Sequence, residues 1–282
     1  VDEAHGAHLT LPPPFPKGAL FHGADIVVHS AHKMLPAMTM GSFLHVNSDQ
    51  IPLDSLEFYL GALQSSSPSY PIMASLDMAR FFLASMTAED VLFTLEEKEK
   101  IIHLLQDKGI EVIHSARQDP LKFLLRKKGL SGYELQEELG KVGIYSELAD
   151  PFQVLCIWPL IKAERYGYSG QVRDRISYLS LPDIQTNEEN NIPDEKREKI
   201  TELALSFQEQ EQTEVSWIPI QEAIGRISAE MIIPYPPGIP LLVPGELITT
   251  KHLNILKNLM KHHAHIQGIQ KQEAAQLAVF SC

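Results

Sequence analysis

Short apolar runs bounded by turn-forming residues alternate along the chain with longer stretches of helical periodicity. The run Ala24-Asp25-Ile26-Val27-Val28-His29 is brief and β-branched. That pattern predicts a strand buried on both faces, as in a parallel sheet. Met40 to Val46 predicts another strand, and residues 53–64 and Tyr70–Ala84 predict helices joined by the loop Ser65-Ser66-Ser67-Pro68-Ser69. Thr87 with Asp90 has the spacing of a capped helix start, and that helix is expected to run to Gly109. Beyond Gly109 the rhythm changes. Ile110–His114, Leu121–Leu125 and Val154–Trp158 predict strands, while Ser131 and Glu134 have capping-box spacing for a helix through about Gly140. This βαβ-like mixture predicts a second, smaller α/β lobe.

Farther on, residues 183–200 are polar and acidic (Asn187-Glu188-Glu189-Asn190-Asn191) and predict a loop or linker. Glu195–Glu211 and Ile220–Met231 are expected to be helical, Pro234–Pro240 rigid and extended, and Thr249–His263 a final helix. Pro12-Pro13-Pro14-Phe15-Pro16 excludes helix, because proline removes amide donors and restricts its predecessor. Val1 reads as the end of a buried strand and Asp2 as the first residue past it. A strand needs neighbours, so a preceding part of the fold is expected. There is no internal repeat.

Composition narrows the function classes. A hydrophobic fraction of 44% and a charged fraction of 21% over 282 residues exclude disorder and collagen, and suit one large or two modest domains. With 24 Lys+Arg against 36 Asp+Glu, the formal charge of −12 argues against a whole-surface nucleic-acid binder. The same charge mildly favours cationic small molecules through long-range steering. The 2 cysteines, Cys156 and Cys282, make neither a disulfide framework nor a multi-thiolate zinc site, which fits a reducing compartment. No apolar run reaches the roughly 18 residues a bilayer span needs, and no signal peptide is visible. A cytoplasmic location without membrane contact is the expectation.

Two groups of residues carry candidate chemistry. Asp2-x-Ala4 and Ser30-x-His32-Lys33 each follow a predicted strand. In an α/β sheet, ligands collect outside the carboxyl ends of strands, so both groups could face one crevice. A lysine there, partly desolvated, can lose its proton below the reference pKa of about 10.4 and attack a carbonyl. A buried carboxylate nearby is what a pyridinium nitrogen needs to stay protonated. A small alanine packs flat on an aromatic ring, and Ser30 and His32 could hydrogen-bond a phosphate. The bland alternative stands beside this one: Asp2 caps a turn, Lys33 is solvated and His32 fills a gap.

The blocks Val1-Asp2-Glu3-Ala4-His5-Gly6-Ala7-His8 and Gly23-Ala24-Asp25-Ile26-Val27-Val28-His29-Ser30-Ala31-His32-Lys33-Met34-Leu35-Pro36-Ala37 resemble the Orn/Lys/Arg decarboxylases. So do Ser65–Ser75, Gly143–Asp150 and Pro234–Glu246, in the order that family uses and closest to its shorter bacterial members. The resemblance implies an α/β fold. Its parts would be a partial pyridoxal-phosphate-dependent transferase large domain, like that of aspartate aminotransferase, over 1–105, then a small α/β domain over 106–190 and a C-terminal decarboxylase region over 191–282. It implies pyridoxal 5'-phosphate held covalently by Lys33, with Asp2 on the ring nitrogen and Ala4 on a ring face. Ser30, His32 and His5 would surround the cofactor, and Ser66 in the serine loop would reach its phosphate across a dimer interface. Lys33 or His32 would supply the proton at Cα after CO2 leaves. The substrate implied is arginine, lysine or ornithine, giving a polyamine-precursor amine, in a homodimer or larger assembly. Glu147 and Glu246, with Asp150 and Glu230 behind them, are candidates for the substrate's distal charge. Ala31 departs from the threonine frequent in relatives.

The family's phosphate cradle and stacking aromatic cannot be located before Val1, so a truncated chain is expected, of doubtful activity alone. A non-catalytic partner subunit, or another reaction on the same cofactor such as transamination or aldol cleavage, stands as the alternative. A metal site from Asp2, His5 and His8 is disfavoured because Gly6 and the following prolines oppose a helix there. His262-His263-x-His265 reads as favourable charge at a helix C-terminus. Tyr235–Pro240 reads as a stiff wall segment rather than a polyproline ligand. Cys156 reads as an inert core residue.

Overall fold

A computed structural model describes residues 1–113, 115, 118–163, 167–182, 201–235, 238–261, 264–271 and 275–281. The acidic loop at 183–200, the start of the helix expected from Glu195, Pro236-Pro237, His262-His263 and Cys282 lie outside the described residues. In chain order the elements are β1 (Ile26–His29), α1 (Ala31–Met34), β2 (Phe43–Val46), α2 (Leu53–Leu63), α3 (Tyr70–Ala84), α4 (Ala88–Asp107), β3 (Glu111–Ile113) and β4 (Lys122–Arg126). There follow α5 (Gly132–Lys141), β5 (Leu148–Ala149), β6 (Val154–Ile157), α6 (Gly167–Ser177), α7 (Phe207–Gln212), β7 (Val215–Pro219), β8 (Ile233–Tyr235), α8 (Thr250–Lys261), β9 (His265–Gln267), β10 (Ile269–Lys271) and β11 (Ala275–Phe280). Helices and sheets mix as an α/β reading expects.

The chain divides into two compact units. The first comprises Val1–Leu104, His114–Phe123 and Ile157–Asp174. Its sheet pairs β1 with β2 antiparallel, Val27 opposite His45 and His29 opposite Phe43. Residues 1–4 run parallel to β1 on the other side, bridging Asp2 to Val28. The strand predicted to be buried on both faces is buried on one: Val27 and His29 are inside, whereas Val28 is 41% exposed. The single turn α1 buries Ala31 and Met34. That spacing of three puts both on one helical face and turns Lys33 outward. Met34 and Leu35 pack with Ala79, Val91, Leu121 and Leu160 in the core of this unit. At the head of α4 the expected cap is present, Asp90 accepting the Thr87 amide at 2.9 Å while the Thr87 hydroxyl accepts the Asp90 amide at 3.2 Å.

A second tie in this unit involves His8, which the sequence offers only as a metal candidate. His8 is fully buried, meets Phe15 edge-on, and sets its Nε2 3.1 Å from Asp119 Oδ2. Burial pushes the Asp119 carboxyl up. The His8 hydrogen bond and charge, the Leu121 amide and Lys122 more than offset this, leaving it below its ordinary value.

The second unit comprises Leu105–Ile113, Leu124–Cys156 and Arg175–Cys282. It contains a sheet ordered β3-β4-β6-β5 and another ordered β10-β11-β7, whose pairs β10–β11 and β11–β7 are antiparallel. The capping box of α5 forms as its spacing predicts: the Ser131 hydroxyl accepts the Glu134 amide and the Glu134 carboxylate accepts the Ser131 amide at 2.7 Å. Cys156 is buried in β6, and burial pushes its thiol up to about 12, so it is protonated and inert at neutral pH.

Two expected helices are corrected here. Residues 201–206 are not helical, and α7 begins only at Phe207. Ile220–Met231 forms one 3-10 turn at Ile220–Glu222 and then irregular backbone. Its amides go to neighbouring segments instead of to residue i−4: Gly225 donates to Ile248 at 2.9 Å and Ala229 to Ala278 at 3.0 Å. Tertiary pairing outweighs the local helical pattern there. The stretch Pro234–Pro240 is not extended throughout, since Gly238 takes a positive φ of 84° and donates to the Pro234 carbonyl at 3.1 Å.

Two predictions test these ties. A Cβ at Gly132 would run into the Asp150 and Gln153 carbonyls, whereas one at Gly140, in the same helix, meets nothing within 4 Å. Gly132→Ala is expected to cost about 1–3 kcal/mol and Gly140→Ala to gain about 0.5–1 kcal/mol, by urea denaturation. Asp119→Ala is expected to cost about 1–3 kcal/mol at pH 7. Because the folded carboxyl is depressed, its stabilisation is present above the ordinary value of 3.8 and is lost as pH falls through the folded value. The difference between wild type and variant therefore narrows in denaturation curves at pH 3.

Candidate active site

Backbone pairing builds the site. Val28 donates to Val1 at 3.1 Å, Glu3 donates to Val28 at 3.0 Å, and Ser30 donates to Ala4 at 3.1 Å. These parallel bonds bring the carboxyl end of the Asp2 segment and that of β1 side by side. α1 starts at that edge, and the Lys33 amide donates back to the Ser30 carbonyl at 3.1 Å. Asp2, Ala4, Ser30, His32 and Lys33 thus gather at one end of one small sheet.

Their side chains are poised in distinct ways. Asp2 is exposed, and its Oδ1 accepts the Ala4 amide at 3.0 Å. Its Oδ2 has no partner among the described residues. The carboxylate is therefore not buried as the sequence suggests, because it stands at the sheet's open end. Lys33 is likewise exposed, and its ammonium has no ion pair or hydrogen bond among the described residues. His32 is half-buried and donates from Nδ1 to the Gly41 carbonyl at 3.0 Å, an assignment that leaves Nε2 as a lone-pair acceptor. Ser66 lies exposed between α2 and α3, where Ser65 Oγ accepts the Ser67 amide at 3.4 Å.

Beside this edge lies a cavity of about 460 Å³ lined by Asp2, Glu3, Ala4, His5, Leu9, Asp119 and Lys122, with Gly6 and Pro16. It joins three of the anticipated residues, Asp2, Ala4 and His5, to two the sequence did not single out, Asp119 and Lys122. Lys33, His32, Ser30 and Ser66 do not line it. Of its carboxylates, Glu3 is bonded to the Ala19 amide and His29 and Asp119 lies against His8, which leaves Asp2 as the one with an unused oxygen among the described residues.

Glu147 and Glu246 belong to the second unit. Glu147 is exposed ahead of β5, and its amide donates to Leu155 at 2.9 Å. Glu246 is half-buried, with one carboxylate oxygen accepting the Val243 amide at 2.8 Å and the other the Thr201 hydroxyl. Asp150 accepts the Phe152 and Gln153 amides at 2.7 and 2.9 Å.

Glu3, His29 and His45 do not stand out in the sequence as site residues. His29 is 4% exposed, with Nε2 2.8 Å from Glu3 Oε2 and Nδ1 3.1 Å from His45 Nε2. The signal was present, since a histidine closing the apolar run Ile26-Val27-Val28 is a polar group headed for a core and in need of partners. For His45, burial and then the neighbouring His29 lower the pKa, against an opposing pull from Glu3.

These residues fit pyridoxal phosphate on their own chemistry. That group takes an amine, a carboxylate for its ring nitrogen and a small flat contact; the segments that carry Lys33, Asp2 and Ala4 meet at one end of the sheet, while the Lys33 side chain lies outside the cavity that Asp2 and Ala4 line.

Comparison with known proteins gives the family. Residues 1–122 match the description "Orn/Lys/Arg decarboxylase, major domain", and residues 188–275 match "Orn/Lys/Arg decarboxylase, C-terminal domain". The chain is 42% identical to the uncharacterized protein YaaO of Bacillus subtilis (strain 168), over 99% of this chain and 59% of that protein. It is 32% identical to an arginine decarboxylase of the same organism, over 92% of this chain and 55% of the relative. The chain thus spans somewhat more than half the length of the curated relatives it matches. Among solved structures, the constitutive lysine decarboxylase of E. coli superposes with a TM-score of 0.63 at 18% identity, covering 91% of this chain and 49% of that one. The lysine decarboxylase of Francisella novicida superposes with a TM-score of 0.62 at 19% identity, over the same shares. The fold is that of these lysine decarboxylases, and the chain belongs to the Orn/Lys/Arg decarboxylase family.

Proposed function

We propose that this chain carries the lysine-bearing part of a pyridoxal-phosphate-dependent decarboxylase acting on arginine, lysine or ornithine. The observation that carries the reading is the junction of Asp2 and Lys33 at one sheet edge through the Ser30–Ala4 bond of 3.1 Å. Relatives named arginine decarboxylase support the substrate class.

Each residue has a role in this reading. The amine of Lys33 binds the cofactor covalently, and its outward orientation leaves that amine accessible. Asp2 Oδ2 holds the proton on the ring nitrogen. Ala4 offers a flat contact for the ring, with Ser30, His5 and Ser66 toward its substituents and phosphate. The Lys33 amine holds the proton delivered to Cα, or His32 does once its Nε2 has taken one up. Pyridoxal phosphate, when bound, supplies the aldehyde that takes the substrate amine and the protonated ring that accepts the electron pair left by CO2.

The working unit in this reading is a homodimer or larger assembly in the cytoplasm. Apolar side chains flanking the Ser66 loop support association: Phe58 is 68% exposed on α2, Leu63 83%, and Phe81 66% on α3. Among the described residues no helix is long and apolar enough to cross a membrane.

The test supplies the protein with pyridoxal phosphate and measures CO2 release from arginine, lysine and ornithine. Release from at least one is expected, with visible absorbance from the bound cofactor. Lys33→Ala should remove the absorbance and lower the rate on the order of a thousandfold or more. Release from none of the three would contradict the decarboxylase reading.

A further inference from the structure

Glu3 alternates with Asp2 and Ala4 along an extended segment, so its side chain leaves the opposite face of the sheet. It is closely packed there. A Cβ at Gly6 would collide with the Glu3 side chain, and one at Gly18 would come within 3.1 Å of its Oε2. Glu3 Oε1 accepts the Ala19 amide at 2.9 Å, and Oε2 meets His29 Nε2 at 2.8 Å. His29 closes β1 and passes its Nδ1 to His45 Nε2 on β2 at 3.1 Å. Three titratable side chains on three adjacent extended segments share one line of hydrogen bonds.

Donor accounting fixes one hydrogen on this line. The Ala19 amide only donates, so Oε1 accepts. A carboxylate has no donor to offer, so His29 Nε2 must carry hydrogen. Between His29 Nδ1 and His45 Nε2 one nitrogen donates and the other accepts. Glu3 therefore requires hydrogen on His29 Nε2.

We propose that Glu3 and His29 are positioning residues for the Lys33 site. The Glu3–His29 bond runs beside the backbone bond from Ser30 to Ala4, one residue away on each strand. It clamps the turn carrying Ser30 and Lys33 against the strand end carrying Asp2 and Ala4, and His45 closes the line behind His29. The role rests on the reading that Lys33 and Asp2 hold the cofactor, whereas the clamp itself is observable without any cofactor.

Glu3→Gln tests it. The Ala19 amide keeps the glutamine carbonyl oxygen, so the glutamine NH2 turns toward His29 and Nε2 must become an acceptor. Long-range 1H–15N spectra of the full chain with labelled histidines read ring tautomers directly. The wild type should carry hydrogen on His29 Nε2, and Glu3→Gln should move it to Nδ1. His45→Ala should leave the His29 tautomer as in wild type. Hydrogen exchange at the Ser30 amide should quicken about tenfold in Glu3→Gln, the worth of about one hydrogen bond, with the Leu277 amide in β11 as an unchanged reference. Affinity for pyridoxal phosphate, read from visible absorbance, should fall by a similar factor. His29→Gln, whose amide nitrogen can still reach Glu3, should retain the affinity that His29→Leu loses, and this pair decides the matter if Glu3→Gln does not fold. A His29 ring without hydrogen on Nε2 in the wild type, or unchanged Ser30 exchange and cofactor affinity in the variants, overturns the proposal. A wild type with the expected tautomer and Ser30 response but no absorbance dependent on Lys33 overturns the cofactor role while the clamp stands.

Discussion

The parallel register of residues 1–4 against β1 is the constraint on which the site depends. A backbone ladder leaves little freedom. Once Glu3 donates to Val28 and Ser30 donates to Ala4, Asp2 and the turn after β1 must end at the same edge. A slip of one residue would invert every side chain along the segment. Glu3 would then face the open side and Asp2 the interior, leaving His29 buried without its carboxylate. The polar line through Glu3, His29 and His45 thus specifies the register as well as filling the core.

The same logic explains how an exposed lysine sits in an otherwise ordered place. α1 is a single turn and has no independent stability. It is held by Ala31, Met34 and the following Leu35, all buried. Anchoring that face leaves His32 and Lys33 on the other, with His32 tied to Gly41 and Lys33 directed outward. The alternation of apolar anchor and polar neighbour thus gives this side chain a fixed root and an accessible tip.

Much of this was legible in the sequence where local signals act alone. Tyr70–Ala84 and the Ser131–Glu134 cap follow from periodicity and a side-chain oxygen three residues ahead of its partner. Ile220–Met231 departs from its helical pattern because pairing to Ile248, Ala278 and Val279 outweighs it, which local sequence does not reveal. At the site, Asp2 and Lys33 stand out because strand ends collect chemistry. Glu3 hides between Asp2 and Ala4, and Asp119 is far from them in sequence, so its approach to His8 and to the cavity is a product of folding alone.

The central claim is that the amine of residue 33 is the one that takes the cofactor. Borohydride reduction of the protein mixed with pyridoxal phosphate, followed by peptide mass analysis, addresses it most directly. One dominant pyridoxyl adduct is expected, on the peptide containing Lys33, with its loss when Asp2 is changed to alanine. Adducts spread over surface lysines such as Lys17 and Lys100, with Lys33 unmodified, would contradict it.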